Sequence, residues 1–279
     1  MQQMIQPAVC SIVVLIVLCL SLPSPAQEEA GNAEQQKKEQ LRRDARAHVE
    51  TFSITGESGE RYEPVEEPLL SSTDLSRGES GSLWVFGTEG RPIAVLELFT
   101  NTGAGDPRWI QVLTLTSSRL VTARVPPDFA WLPRQSQLEL APLPEAPPPA
   151  GRTNLRERQA KLLARRFDAH EFWDPNNSRF ELRLLQTPLH RYQDEAAGVQ
   201  DGMLFAFVHG TNPEVLLLLE AHPKGEGGAE WRYGLIRMGS AELHVSLDGE
   251  EVWHVGRTPG VAGTPRDPYW ISAAPAGAE

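Results

Sequence analysis

Seven histidines are the natural starting point for metal or acid–base chemistry: His48, His170, His190, His209, His222, His244 and His254. A metal centre needs two or three ligands brought together, and a sequence reveals that most directly as a pair at helical or turn spacing. No two of these histidines form an HxxxH or HxH pair. The nearest grouping, His170, Glu171 and Asp174, lacks a third nitrogen. It reads as a solvated helix end running into Trp173 and the turn Asp174-Pro175-Asn176-Asn177, so no metal and no cofactor is expected.

Nucleophilic hydrolysis needs a serine on a strained turn such as GxSxG, with a base and an orienting acid. Gly78-Glu79-Ser80-Gly81 is one residue too short for that motif and reads as the turn before a strand. His209-Gly210-Thr211 has the start of some oxyanion-hole loops and equally the composition of a hairpin turn. Paired carboxylates would suit glycoside hydrolysis, but their separation decides that mechanism and the chain does not fix it. Glu97 and Glu220 each interrupt an apolar strand, a position ordinary for a carboxylate at an edge or near a surface. No Gly-rich phosphate loop follows a strand and opens a helix. No catalytic residue is assigned.

The elements that would position such groups are framed by composition. The 279 residues are 40% hydrophobic and 23% charged, with 26 Lys+Arg against 37 Asp+Glu, a net charge of -11. That balance excludes a disordered acidic tail, a collagen and a polytopic membrane protein. It also argues against nucleic acid as a partner, because phosphate binding needs a basic footprint. One basic island, residues 152–166, holds six basic residues against one acidic. It reads as the solvated face of an amphipathic helix, neutralised in part by acidic stretches such as residues 57–67, with attachment to an anionic surface as the alternative.

Residues 8–22 form one apolar run, closed by Pro23 and Pro25. As a helix it spans roughly 22 Å, short of the roughly 30 Å hydrocarbon core. A cleaved signal peptide over residues 1–26 is the better reading, with Ser24 and Ala26 as the small residues before a cut between Ala26 and Gln27. Cys10 and Cys19 both lie in the segment removed, so disulfides and cysteine nucleophiles are not expected in the mature chain. The membrane is then a partner only through the signal peptide before cleavage, and the product is expected in the periplasm or outside the cell.

Beyond a flexible lead over residues 27–40, Leu41, Ala45, Val49 and Phe52 fall on one helical stripe. A second helix is signalled by Asn154 as N-cap with Glu157 three residues on, then Leu155, Leu162, Leu163 and Phe167 on one face. Residues 142–149 hold five prolines in eight and read as a stiff linker. The most informative feature is an internal repeat. Residues 81–98 (GSLWVFGTEGRPIAVLEL) align without gaps on 202–219 (GMLFAFVHGTNPEVLLLL), matching Gly81, Leu83, Phe86, Pro92, Leu96 and Leu98 with Gly202, Leu204, Phe207, Pro213, Leu217 and Leu219. Trp109, Leu113 and Ser118 answer Trp231, Leu235 and Ser240 further on. Within each copy a strand apolar on both faces, such as Leu83 to Phe86, belongs between two layers. Asp248-Gly249 is a hairpin turn between two further strands.

The second copy (FELRLLQTPLHRYQDEAAGVQDGMLFAFVHGTNPEVLLLLEA, WRYGLIRMGSAELHV and GEEVWHV) resembles a family of uncharacterised exported bacterial proteins of planctomycete type, over residues 41–255. The resemblance implies an exported bacterial protein and carries over no functional residues.

The expected fold class is α+β, as two related modules that each place an amphipathic helix before an antiparallel β-meander. The first occupies residues 41–141 and the second 153–255, joined by a Pro-rich linker over 142–152 and followed by a flexible tail over 256–279. The expected function is a non-catalytic binding or structural component of the cell envelope or exterior, with another envelope protein or a polymer as partner. Trp173 and Trp270, in loop-like settings, are the candidate contact residues. The alternatives are an envelope hydrolase with dispersed catalytic residues and a protein attached to anionic surfaces by the basic helix 152–166.

Overall fold

A computed structural model describes residues 25–74, 79–101, 108–174, 176–225, 227–260 and 262–276. The expected signal peptide, with Cys10 and Cys19, lies outside these residues apart from its last two positions. Two compact units are distinguished, Met1–Glu39 and Gln40–Glu279, and all the described strands belong to the second. None of the described helices is long and apolar enough to cross a membrane.

Helix α1 (Pro25–Glu50) includes Ala26 and Gln27, so the stretch 27–40 is helical where a flexible lead is expected. Its Ala, Glu, Gln and Lys are strong helix formers, and Gln35 Nε2 donates to Glu39 Oε1 one turn on at 3.0 Å. Toward the C-terminal end the expected stripe is in place: Ala45 and Val49, with Phe52 just past the helix, are buried.

Eight strands follow: β1 (Ser53–Gly56), β2 (Arg61–Tyr62), β3 (Leu70–Asp74), β4 (Glu79–Phe86), β5 (Ala94–Asn101), β6 (Arg108–Leu115), β7 (Val121–Val125) and β8 (Phe129–Trp131). After β9 (Ala141–Pro142) and helix α2 (Thr153–Ala164) come β10 (Phe167–Phe172), β11 (Arg179–Leu184), β12 (His190–Asp194), β13 (Val199–His209) and β14 (Asn212–Lys224). The last are β15 (Gly228–Arg237), β16 (Glu242–Leu247), β17 (Glu250–Val255) and β18 (Tyr269–Pro275). The fold is α+β and rich in antiparallel sheet. One sheet runs β18-β6-β5-β4-β3, a second β17-β16-β10-β11-β13-β14-β15-β9 with β12 on β13, and a third β2-β1-β7-β8.

The first two sheets share one apolar cluster. Leu83, Val85, Val95 and Val112 from one meet Leu204, Ala206, Leu216 and Leu218 from the other. On the opposite face of β4 and β5, Trp84, Phe86, Leu96 and Leu98 pack with Ala45, Val49 and Phe52 and with Ile54, Ala123 and Trp131 of the small sheet. Phe205, Phe207, Leu217 and Leu219 pack likewise with Ala160, Leu163 and Ala164 of α2 and with Ala169, Leu243 and Val245. Strands apolar on both faces are therefore buried on both, as their composition requires.

Pairing registers coincide between the two halves of the chain. Trp84 opposes Leu96 as Phe205 opposes Leu217, and Phe86 opposes Ala94 as Phe207 opposes Val215, an offset of 121 in every case. Leu96 opposes Leu113 as Leu217 opposes Leu235, and Ala123 opposes Trp131 as Val245 opposes Trp253. The edges cross over: β9, after the first half, pairs with β15, whereas β18, after the second, pairs with β6.

Three local expectations are corrected. Helix α2 starts at Thr153, with Arg152 at the N-cap position and no side-chain cap, so Asn154 lies inside the helix. Its buried positions are Arg156, Ala160, Leu163 and Ala164, whereas Leu155 and Leu162 are exposed. Arg156 takes a place on the inner face because Asp201 waits there, Nε donating to Oδ2 at 2.7 Å. The Pro-rich stretch 142–152, expected as a stiff linker, is docked on the second half of the chain: Leu143 is buried and its N–H donates to the Trp231 carbonyl, while Arg166 and Gln159 donate to the carbonyls of Pro144 and Pro148. The tail 256–279 contains β18, whose Trp270 opposes Leu113 and is buried.

The matched pair Gly81 and Gly202 has a steric reason at the second site. Gly202 lies directly opposite Tyr192, and a Cβ there would stand 2.2 Å from Tyr192 Cε2. Gly202→Ala is expected to cost about 1–3 kcal/mol by overpacking, read as a lower urea midpoint at unchanged slope; a neutral effect would show that the ring does not lie across the strand.

Candidate functional site

Between the two large sheets, at the β4–β5 and β13–β14 hairpins, lies a cavity of about 200 Å³. Leu70, Leu83, Leu185, Val208 and Pro213 make it apolar, and Ser71, Ser82, Thr211, Arg183 and Glu97 supply its polar groups. Glu97 comes from β5, where it opposes Leu83 on one side and Val112 on the other, in the row of residues that face the second sheet. Leu218, 121 residues further on in the β13–β14 hairpin, is a core leucine.

Glu97 is 7% exposed, and no described residue offers it a hydrogen bond or an ion pair. Burial pushes its carboxyl up to about 8, because desolvation disfavours the charged form. Glu214 on β14 behaves alike: burial first, then the Glu171 charge, push it up to about 8 against the Asn212 side-chain amide, which donates to Oε1 at 2.6 Å. Glu171 is itself buried and pairs with His209 Nδ1 at 2.5 Å. The ring of His209 is flanked by Phe180 at 5.2 Å and by Trp173 at 6.3 Å.

Trp173 is 52% exposed and stands beside the turn that carries Thr211, whereas Trp270 is 7% exposed and packs edge-on against Phe129. Trp270 is therefore a core residue and not a contact residue. His170 and Glu171 are not neighbours in function: they alternate on β10, a strand where a helix end is expected, so Glu171 faces the core and His170 faces His244 across the sheet. Asp174 instead accepts from the Ser178 N–H and hydroxyl. Glu220 is occupied in a separate buried network, accepting two hydrogen bonds from Arg91, one from Tyr192 and one from His222. Glu97 and Glu220 thus serve different surroundings. Three of the island's six basic residues are paired within its own half, Arg156 with Asp201, Lys161 with Glu157 and Arg166 with Asp248, and none of these three with the acidic residues 57–67.

The cavity can enclose and orient a small molecule. Ser82 Oγ accepts from Trp84 Nε1 at 2.9 Å and faces the Leu98 carbonyl at 3.4 Å. Among the described residues no hydroxyl is hydrogen-bonded to His209. The side chain of Ser80 lies outside the described residues.

A second cluster joins histidines that are far apart in local spacing. Glu242, His244 and His254 bring one ligand atom each within 4.8 Å of one another. A regular two-residue turn at Asp248-Gly249 would put His244 opposite Trp253. A bulge between Val245 and Ser246 shifts the pairing so that His244 opposes His254. The hairpin was the available signal, and the bulge hid its consequence.

Comparison with known proteins returns no match among family models, curated proteins or solved structures.

Proposed function

We propose that this is an exported, non-catalytic binding protein of the cell envelope or exterior, built from one duplicated helix-and-meander unit, whose cavity seats a small apolar molecule bearing an ammonium group. What supports the reading is Glu97, a buried carboxyl on the cavity wall that has no partner among the described residues. A site that forces a carboxyl to stay neutral gains most from a ligand that brings the missing charge, because the pair then replaces a desolvated acid. Five apolar side chains around it fit a short hydrocarbon body. Duplication is supported by the equal offsets of paired residues in the two hairpins and by Trp131 and Trp253 opposing matched strands. Export rests on the apolar run 8–22 and the small residues before Gln27.

Isothermal titration with n-butylammonium at pH 7, set against n-butanol as the neutral isostere, tests the ligand class. The expected result is at least about tenfold tighter binding of the amine, with release of a proton to the buffer as Glu97 ionises. Glu97→Gln should abolish both the preference and the proton release. Equal affinity for the alcohol, or amine binding without proton release, would contradict the assignment.

A further inference from the structure

We propose that Glu242, His244 and His254 form a binding site for one divalent transition-metal ion of the zinc class, on the face of β10, β16 and β17 that points away from the core. Leu243, Val245 and Leu247 alternate inward from β16 and are buried, which turns Glu242 and His244 outward. The bulge after Val245 places His254 opposite His244, and His170 opposes His244 from the other side. Imidazole rings consequently stack in a row, His170 on His244 at 4.7 Å and His244 on His254 at 4.3 Å.

Two of the three ligand–ligand spacings already match a tetrahedral centre, and the third lies within 4.8 Å. Both imidazole Nε2 atoms approach the same carboxylate oxygen, Glu242 Oε1, at 3.2 Å for His244 and 3.3 Å for His254. Ligands bonded at about 2.0–2.1 Å to a tetrahedral metal stand about 3.3 Å apart. The outer shell is present too: Glu251 Oε2 lies 2.7 Å from His244 Nδ1. A carboxylate on one ring nitrogen fixes the tautomer and leaves the other nitrogen's lone pair for the metal. Phe172 meets the His244 ring edge-on at 5.5 Å and, with His170, holds its plane.

Two imidazoles and one carboxylate favour zinc, copper or nickel over calcium and magnesium, which prefer all-oxygen sites. Three protein ligands leave a fourth position open to water or a donor from another molecule. The site shares no residue with the cavity and does not depend on the ligand proposed there.

The test is metal titration of the untagged, chelator-treated chain: calorimetry with Zn²⁺, and visible absorption with Co²⁺ as a reporter of tetrahedral geometry. One ion per chain is expected, with cobalt bands that zinc displaces. His254→Ala, at an exposed position, should weaken Zn²⁺ binding at least about tenfold, and Glu251→Gln by about 10–100-fold through the outer shell alone, with the far-UV spectrum unchanged in both. Absence of Zn²⁺ uptake by the wild-type chain, or uptake that His254→Ala and Glu242→Ala leave undiminished, overturns the proposal.

Discussion

Arg91→Ala is expected to destabilise the protein by about 3–5 kcal/mol at neutral pH. Arg91 sits in the β4–β5 turn and reaches into the other half of the chain, where Nε and Nη2 donate to the two oxygens of Glu220 at 2.6 and 2.7 Å. Glu220 is fully buried. Burial alone would raise its pKa, yet hydrogen bonds from Arg91 and His222 and the Arg91 charge draw it down to about 2. Removing the guanidinium leaves a desolvated carboxylate facing only Tyr192 and His222, and the cost of that orphaned charge exceeds the worth of the pair itself. The pH sign follows from the depressed value. In the wild-type chain Glu220 contributes stability above its ordinary value of 4.5, and that contribution is lost as pH falls through about 2. Arg91→Ala should therefore show a smaller loss between neutral and acid pH. Adding Glu220→Gln to Arg91→Ala should recover most of the deficit, because no charge is then stranded. Urea unfolding at pH 7 and pH 3 reads all three effects, and a single variant within about 0.5 kcal/mol of wild type would show that the network does not tie the turn to β14.

Glu97→Gln is expected to act in the opposite direction and to stabilise the protein in base. Glu97 has its folded value raised to about 8 from 4.5. Its favourable neutral form is fully compatible with the fold below pH 4.5, and stability declines as pH rises from there to about 8, then levels. By linkage that decline amounts to about 2–5 kcal/mol, the upper figure corresponding to the full difference at 1.36 kcal/mol per pH unit. Glutamine keeps the shape and removes the titration, so the variant should gain on wild type as pH rises and its stability curve should be flatter. Glu214, also raised to about 8, leaves a residual slope. Denaturation midpoints at pH 5, 7 and 9 decide it; parallel curves for the two proteins would mean that Glu97 is solvated.

Much of this architecture is written in residue pattern, and the exceptions have identifiable causes. The matched hairpins were legible because Leu83 and Val85 alternate with Trp84 and Phe86, and both sets are large and apolar. Asp248 and Gly249 take the positive φ angles, 52° and 87°, that their types favour in a tight turn. By contrast, helix α2 does not follow its stripe of leucines, because the buried Asp201 draws Arg156 to the inner face. The tail misled because Gly, Pro and Ala mask Trp270, whose strand is held by pairing with β6, more than 150 residues earlier in the chain.

At the candidate site the same division holds. Glu97 stood out as a charge within an apolar strand, but its lack of a partner depends on Leu185, Val208 and Pro213 arriving from the other sheet. An edge position would have solvated it. The histidine row was hidden by one bulged residue, since periodicity in a strand fixes which face a side chain takes but not which residue across the ladder it meets.

The most direct measurement is a ¹³C NMR titration of the Glu97 side-chain carboxyl, with and without n-butylammonium. A midpoint near 8 is expected in the free protein, with a fall of at least about one pH unit when the amine is bound. A midpoint near the ordinary 4.5, or one that the amine leaves where it was, would contradict it.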